Sequence, residues 1–501
     1  MNYLELLSGT DVRGVAAVGV SGQEINLTDE VCKNIAVSFA LWLSYKTKKD
    51  VSCLKIAVGH DSRISADRIS NAVNTSLSEI GSEVLFTGLS STPAMFMITK
   101  SRFCDTPADG AIQITASHHP FNRNGLKFFT PGGGLDSADV RQILTAAQSL
   151  EIHKADKKGA VTNIDFMSRY AEILRKKIKK EVNSSDYGNP LSGFKIVVDA
   201  GNGAGGFYAF DVLEKLGADI SGSQFLEPDG RFPNHIPNPE DKTAMEFIVS
   251  ATEQSNADLG VIFDTDVDRA GCVTIQNGKG KELNRNRLVA LAAALAVEVC
   301  PGGTVVTDSI TSDGLKDFIE NTLKAKHHRF KRGYKNVINE SLRLNAKGEK
   351  SPLAIETSGH AAFQDNFFLD DGAYLITKII IKMAQLKKEG KTLDDLLSAL
   401  KEPLESIEMR YTLTGEKWKE YGEQVLETLK SFTAEHKSWV PSADNFEGYR
   451  VSIPEAQGWF LLRMSVHDPV MPLNIESDIA GGSDIIKELL NPFFEKFSEL
   501  R

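Results

Sequence analysis

The sequence predicts an α/β protein made of three related mixed-sheet α/β domains and a smaller C-terminal α+β domain. Two observations carry that prediction. A short apolar strand ending in an acidic residue, then a small-residue turn and a helix-like stretch, occurs three times: KIAVGHD at 55–61, KIVVDAG at 195–201 and TVVTDS at 304–309. Their spacing is that of a domain, which indicates related α/β units rather than a solenoid. The chain then changes character after Pro403, where a lysine-rich helix is followed by strands at 449–453 and 459–465, the pattern of an α+β unit.

Length and composition agree. At roughly 150 residues per domain, 501 residues make three or four domains, and 41% hydrophobic with 25% charged residues is ordinary for a globular protein with real cores. A net charge of -10 and a pI near 5.6 argue against a general nucleic-acid or membrane-surface binder, while leaving room for basic pockets that take small anions. The five cysteines, Cys32, Cys53, Cys104, Cys272 and Cys300, are scattered, odd in number and never spaced as a metal or redox pair. They are expected to be reduced thiols in a cytoplasmic protein. The opening MNYLELLSGTDVRG has no basic start followed by an apolar core, so no secretory signal is expected. The apolar run at 288–297 is too short to cross a bilayer and reads as a buried helix.

In chain order, residues 154–159 (KADKKG) form a charged turn, 166–180 an amphipathic basic helix, and 183–192 (NSSDYGNPLS) a loop before the second unit. A helix is expected at 393–400. The domains are placed at 1–155, 156–280, 281–402 and 403–501.

The chemistry centres on residues 111–129, AIQITASHHPFNRNGLKFF. This reads as a strand, a tight loop and a returning strand that carries Lys127. Pro120 removes an amide donor and biases His119 away from helix, so Ser117 and His118 are expected on an irregular, accessible turn. A serine beside a histidine, with a lysine across the return, reads as a nucleophile or phosphate carrier with its acid/base and charge partners. The alternative is a capped loop with solvated histidines.

The second cluster is Asp264-Thr265-Asp266-Val267-Asp268-Arg269, directly after the apolar strand 259–263. Alternating carboxylates there concentrate negative charge, and oxygen ligands suit a hard ion such as Mg²⁺. Arg269 and Ile275 stand where a calcium EF-hand needs glycine and glutamate, which rejects that motif. A solvated acidic turn is the other reading.

Residues 201–206, GNGAGG, fit the dinucleotide pattern G-x-G-x-x-G, with Asp219 near the distance of a ribose-binding acid. Asp199 would repel a pyrophosphate, so a close backbone turn at a domain surface is the preferred reading. Glu356-Thr357-Ser358-Gly359-His360 follows a strand; a carboxylate and a hydroxyl two residues apart point the same way from an extended chain and suit paired sugar hydroxyls. Basic turns lie at Arg332-Gly333-Tyr334-Lys335 and at Arg463-Met464-Ser465-Val466-His467-Asp468-Pro469, where arginine can grip a phosphate with two parallel hydrogen bonds.

Together and in this order, these segments resemble the α-D-phosphohexomutase family, in particular its phosphomannomutase/phosphoglucomutase branch. Ser8 to Gly14 (SGTDVRG) is similar to the family's F-G-T-x-G-x-R-G, and Val58 to Arg63 (VGHDSR) to V-G-x-D-x-R. Thr115 to Pro120 with Asn124, Gly125 and Lys127 resembles the phosphoserine loop T-A-S-H-N-P-x-x-x-N-G-x-K. Asp229 to His235 (DGRFPNH) resembles D-G-x-F-P-x-H, Asp264 to Arg269 the metal loop D-x-D-x-D-R, and Glu356 to His360 the sugar loop E-x-S-G-H.

The resemblance implies four domains around a central cleft, with the phosphoserine loop in the first, the metal loop in the second, the sugar loop in the third and a phosphate-binding loop in the fourth. It implies reversible transfer of phosphate between the 1- and 6-positions of glucose or mannose phosphates, through a phosphoserine enzyme and a hexose 1,6-bisphosphate. Ser117 would carry the phosphoryl group and, with Asp264, Asp266 and Asp268, hold Mg²⁺. Arg13, Lys127, Arg269 and Lys335 would support charge, and His118 and His360 are the candidates for proton transfer. Glu356, Ser358 and Gly359 would meet the sugar, and Arg463, Ser465 and His467 the distal phosphate. Glucose 1,6-bisphosphate would be an activator, hexose phosphates the partners, with no nucleic acid or membrane and the oligomeric state left open. The alternatives are a phosphoglucosamine mutase and a catalytically silent sugar-phosphate binding protein. The sequence departs from the family at His119, where asparagine is usual, at Tyr334, where aspartate or histidine is common, and at 463–469, where R-x-S-G-T-E-P has become RMSVHDP.

Overall fold

The computed structural model describes residues 1–100, 107–415, 417–465 and 468–500. It divides into two compact units, Met1–Asn284 with Ser358–Asp395, and Arg285–Thr357 with Leu396–Arg501.

The first unit holds two sheets. In one, the strands run Leu7–Ser8, Asp11–Val15, Arg123–Thr130, Gly110–Ile114, Lys55–His60, Glu83–Leu89 and Val161–Asn163, with Gly133–Gly134 beside Arg123–Thr130. Lys55–His60 pairs in parallel with Glu83–Leu89 and Gly110–Ile114, whereas Gly110–Ile114 pairs antiparallel with Arg123–Thr130, so the sheet is mixed. The central strands Gly110–Ile114 and Lys55–His60 are largely buried beneath helices, whereas the edge strand Val161–Asn163 is exposed. Asp29–Thr47 starts where Thr28 Oγ1 accepts from the Val31 amide and ends at Lys48 in the left-handed region, a side-chain cap followed by a stop. Its Phe39 stacks on Phe128 with ring centroids 4.8 Å apart, within a core that also takes Ile56, Val58, Ile69, Val73 and Ile112.

The second sheet runs Lys279–Leu283, Ala270–Gln276, Leu259–Phe263 and Ile196–Asp199, its last two strands parallel. Helix Lys242–Ser255, capped by Asp241, packs Ala244, Met245 and Ile248 onto it. Helix Gly372–Lys388, capped by Asp371, is apolar over most of its length, which matches its burial. It lies against the amphipathic helix Phe166–Val182.

In the second unit, Thr304–Thr307 pairs in parallel with Lys326–Arg329 and with Leu353–Ile355, and the expected apolar helix is Arg285–Val299. The C-terminal domain is a five-stranded antiparallel sheet in the order Glu405–Thr412, Val470–Ser477, Gly458–Leu462, Tyr449–Ile453, Val440–Pro441. Helices Trp418–Ala434 and Gly482–Phe494 complete its core.

Two expected elements are shorter than the sequence implied. The strand expected at 459–465 ends at Leu462, because the chain leaves the ladder for a turn closed by the Ser465 amide and the Val470 carbonyl. The helix expected at 393–400 is regular only over Leu393–Leu396 and finishes as a turn from the Leu400 amide to the Leu397 carbonyl. Among the described residues, no helix is long and apolar enough to cross a membrane.

Candidate active site

Ser117 lies just beyond strand Gly110–Ile114, and Asp264, Asp266 and Asp268 just beyond strand Leu259–Phe263. Within the first unit the two loops meet. Ser117 Oγ donates to Asp264 Oδ2 at 2.8 Å, and His118 Nδ1 is 3.4 Å from the same hydroxyl. Ser117 is only 1% exposed, which corrects the expectation of an accessible turn: the acidic loop covers the hydroxyl. Both loops carry a residue in the left-handed region, Ser117 at φ 50 and Val267 at φ 67. Such a conformation is strained for a β-branched residue and persists where surrounding contacts enforce it. The Val267 carbonyl accepts from the Gly372 amide at 3.1 Å, and a Cβ on Gly372 would come within 2.6 Å of the Arg269 backbone.

The three aspartates are fully buried and offer oxygens within 4.8 Å of one another. Lys127 Nζ is 3.3 Å from Asp266 Oδ2 and pairs with Asp268 Oδ2, while Thr92 Oγ1 donates to Asp266 Oδ2. The Arg269 amide donates to Asp264 Oδ1 at 3.2 Å, and its guanidinium lies 3.5 Å from Glu240. Burial, then the charges of Asp268 and Asp266, push the Asp264 carboxyl well above the usual range. Burial opposes the charge on Asp268, but Lys127, His360 and Arg269 together carry its carboxyl below the usual range.

Asp266 Oδ1 and Asp268 Oδ1 are buried with no hydrogen-bond partner among the described residues. Three converging carboxylates, two such oxygens and a serine hydroxyl are the donor chemistry of a hard divalent cation, so the residues fit Mg²⁺.

Two histidines face this cluster differently. Arg269, then burial, holds His118 well below its ordinary value. Burial disfavours charge on His360, yet Asp370 and Asp268 outweigh it and the net shift is upward; its Nδ1 is 2.5 Å from Asp370 Oδ2 and 3.8 Å from Asp268 Oδ1. Arg13 donates to Asp11 at 3.0 Å and to the Ala116 carbonyl at 3.3 Å, so it touches the serine loop.

The glycine-rich stretch after Asp199 serves this site and is buried, not at a domain surface. Asp199 is occupied by His235 at 3.0 Å, by the Gly201 amide and by Gln224. A Cβ on Gly203 would lie 2.6 Å from the Thr265 carbonyl, so the turn lets the acidic loop pack closely.

The expected sugar loop is a turn rather than an extended chain: strand Leu353–Ile355 ends before Glu356, so simple alternation does not set its side-chain directions. In the first unit, Ser358 Oγ is buried without a hydrogen-bond partner among the described residues. Gly359 adopts φ +94 where a Cβ would meet the Ala270 carbonyl at 2.5 Å. In the second unit, Glu356 Oε1 accepts from the Gly333 amide at 2.6 Å, and Lys335 stands in the first turn of helix Tyr334–Ala346.

Also in the second unit, Arg463 lies 4.0 Å from Glu447. Glu447 further accepts from Ser309 Oγ at 2.7 Å and from the Arg332 amide at 3.1 Å. Ser465 Oγ accepts from the Asp468 amide at 3.3 Å. His467 lies outside the described residues. Sequence reasoning missed Thr92, Asp370 and Glu447; only the doublet Asp370-Asp371 before a helix gave a signal, and helix capping explains just Asp371.

The chain matches three family models in succession: phosphoglucomutase/phosphomannomutase alpha/beta/alpha domain I over residues 6–153, domain II over 168–278 and domain III over 284–403. It belongs to the α-D-phosphohexomutase family. Over 494 residues it is 26% identical to a phosphoglucomutase of Neisseria gonorrhoeae, covering 98% of this chain and 97% of that protein. It is 27% identical over 433 residues to a phosphomannomutase/phosphoglucomutase of Pseudomonas aeruginosa, covering 86% and 85%. The crystal structure of a phosphoglucomutase/phosphomannomutase family protein from Burkholderia thailandensis shares the fold, with a TM-score of 0.78 at 22% identity over 99% of this chain and 98% of that one. This phosphohexomutase thus has three α/β/α domains and a C-terminal sheet domain, and it is an isomerase of the phosphotransferase type.

Proposed function

We propose that this mutase moves phosphate reversibly between the 1- and 6-positions of glucose and mannose phosphates, with Ser117 as the phosphate carrier. The observation behind this reading is the 2.8 Å hydrogen bond from Ser117 Oγ to Asp264 in a buried nest of three aspartates. The phosphoryl group leaves Ser117 Oγ and bonds to O6 of a hexose 1-phosphate; the O6 proton goes to a base, and Ser117 Oγ regains a proton. The resulting 1,6-bisphosphate turns over in the site, its 1-phosphate returns to Ser117 and a hexose 6-phosphate departs. Glucose 1,6-bisphosphate, as activator, rephosphorylates a serine that has lost its group.

Asp264, Asp266, Asp268 and Ser117 hold Mg²⁺, which supplies neutralising charge for the phosphoryl oxygens when bound. Lys127, Arg269 and Arg13 add fixed positive charge beside Ser117, and Lys335 does so in its own unit. His118, with Nδ1 3.4 Å from Ser117 Oγ, is the candidate proton acceptor by position, and His360, biased toward its charged form by Asp370, is suited to donate one. Glu356, Ser358 and Gly359 read the sugar, and Arg463, Ser465 and His467 take the distal phosphate. The setting is the cytoplasm, since free thiols at Cys32, Cys53, Cys272 and Cys300 fit a reducing compartment.

A coupled assay with Mg²⁺ and a trace of glucose 1,6-bisphosphate tests this. Glucose 1-phosphate and mannose 1-phosphate, which differ only at C2, should both react, and the C4 epimer galactose 1-phosphate should react poorly. Equal turnover of galactose 1-phosphate would contradict the assigned sugar contacts.

A further inference from the structure

Strand Lys55–His60 runs into a buried ion pair to which the site described so far gives no task. Asp61 and Arg63 have fully enclosed side chains, with Arg63 Nε 3.2 Å from Asp61 Oδ2. The rest of the guanidinium is spent on main-chain carbonyls of the serine loop. Nη1 donates to Pro120 at 2.7 Å and to Arg123 at 2.9 Å, and Nη2 donates to His119 at 2.7 Å and to Ser117 itself. All five N–H groups of an arginine therefore have acceptors.

Asp61 closes the circuit from the other side. Its Oδ2 accepts from Thr115 Oγ1 at 2.7 Å, and Thr115 Oγ1 in turn accepts from the Ser117 amide at 2.9 Å. The amide and the carbonyl of Ser117 are thus tied to one ion pair, the first through Thr115 and the second directly. Between them lies the left-handed φ of 50° at Ser117, a conformation that needs such restraint. Segment 229–235 seals the pair: the Phe232 ring lies 5.3 Å from the Arg63 guanidinium carbon, and a Cβ on Gly230 would be 2.3 Å from the Ser62 carbonyl.

The geometry points to Arg63 as a positioning residue for phosphoryl transfer, which aims Ser117 Oγ at the acidic loop without touching the transferred group. This rests on Ser117 being the phosphate carrier. Lysine keeps the charge but is a single point donor on a flexible stem and cannot span four carbonyls and a carboxylate.

The test compares Arg63→Lys with Leu77→Ala, a core substitution in the neighbouring helix Ala66–Glu79, at a temperature where both are folded, using glucose 1-phosphate as substrate. Arg63→Lys should lower kcat about 100-fold, the effect of misplacing a reacting group by about 1 Å, with KM nearly unchanged. Leu77→Ala should melt lower yet keep wild-type kcat. Wild-type kcat in Arg63→Lys, or an equal loss of kcat in both variants, would overturn the inference. Should Arg63→Lys not fold, Thr115→Val decides: a fall in kcat of about tenfold with KM unchanged supports the inference, and wild-type kcat overturns it. Ser117→Ala is assayed alongside. If it is dead while Arg63→Lys is fully active, only the role of Arg63 fails; if it turns over normally, the phosphoserine reading fails and the inference with it.

Discussion

Lys127 Nζ lies 3.3 Å from Asp266 Oδ2 and closer still to Asp268 Oδ2, so one side chain of strand Arg123–Thr130 answers two of the three acids on a loop more than a hundred residues away. Breaking a buried pair by removing one partner costs on the order of 3–5 kcal/mol, because the remaining charge is stranded. Lys127→Met is therefore expected to melt well below wild type in EDTA, to regain more of its stability than wild type when Mg²⁺ is added, and to lose turnover by about 100-fold. Thermal melts with and without Mg²⁺, together with the coupled assay, check this. An unchanged melt in EDTA would contradict it.

Asp264 gives the opposite sign. Burial and the two neighbouring acids make its charge unfavourable, and asparagine can still accept from the Arg269 amide through its one oxygen while its amide nitrogen donates to a rotated Ser117 hydroxyl. Asp264→Asn should then melt no lower than wild type in EDTA, lose the upward shift that Mg²⁺ gives wild type, and be inactive. A clear drop in melting temperature in EDTA would show that the carboxylate is not under repulsion.

Gly359 sits at φ +94 against the Ala270 carbonyl, where any side chain must displace the turn. Gly359→Ala should remain folded, with a penalty of order 1–3 kcal/mol from the backbone conformation alone, and should lose most of its turnover because the flanking Ser358 and His360 shift with the turn. Circular dichroism and the coupled assay read the two effects separately. Wild-type kinetics would remove this turn from the site.

A fourth expectation concerns pH and lies away from the reacting groups. Burial pushes the Glu476 carboxyl from the usual 4.5 up to about 7, although Arg450, Ser406 and Trp459 favour its charged form. Between those values the unfolded chain has released a proton that the folded chain keeps, so this group's contribution to stability falls as pH rises from about 4.5 to about 7. Relative to Glu476→Gln, wild type should lose about 2 kcal/mol between pH 5 and pH 8, measured by urea unfolding of both proteins at the two pH values. Parallel pH profiles would refute it.

The sequence was most legible where period and chemistry coincide. The apolar runs before Asp199, Asp264 and Asp308 are strands, and Leu259–Phe263 has the limits expected of it. The alternating acids after a strand end also pointed to a loop whose three carboxylates converge and could hold a metal ion. What stayed hidden depends on partners distant in sequence. Ser117 looked accessible because nothing near it reveals that the loop at 264–269 covers it. Thr92, Asp370 and Glu447 are ordinary residues until their hydrogen bonds to Asp266, His360 and Ser309 are seen. The turn at 356–359 misled for a local reason: the residues fit an extended chain, but the strand stops at Ile355.

The proposed mechanism requires Ser117 to carry the phosphate, and peptide mass spectrometry of the protein after incubation with glucose 1,6-bisphosphate and Mg²⁺ reads this out. The expected result is a single added phosphate, located on Ser117 and lost on addition of excess hexose 6-phosphate. A protein that stays unmodified while turning over substrate, or that carries its phosphate on another residue, would contradict it.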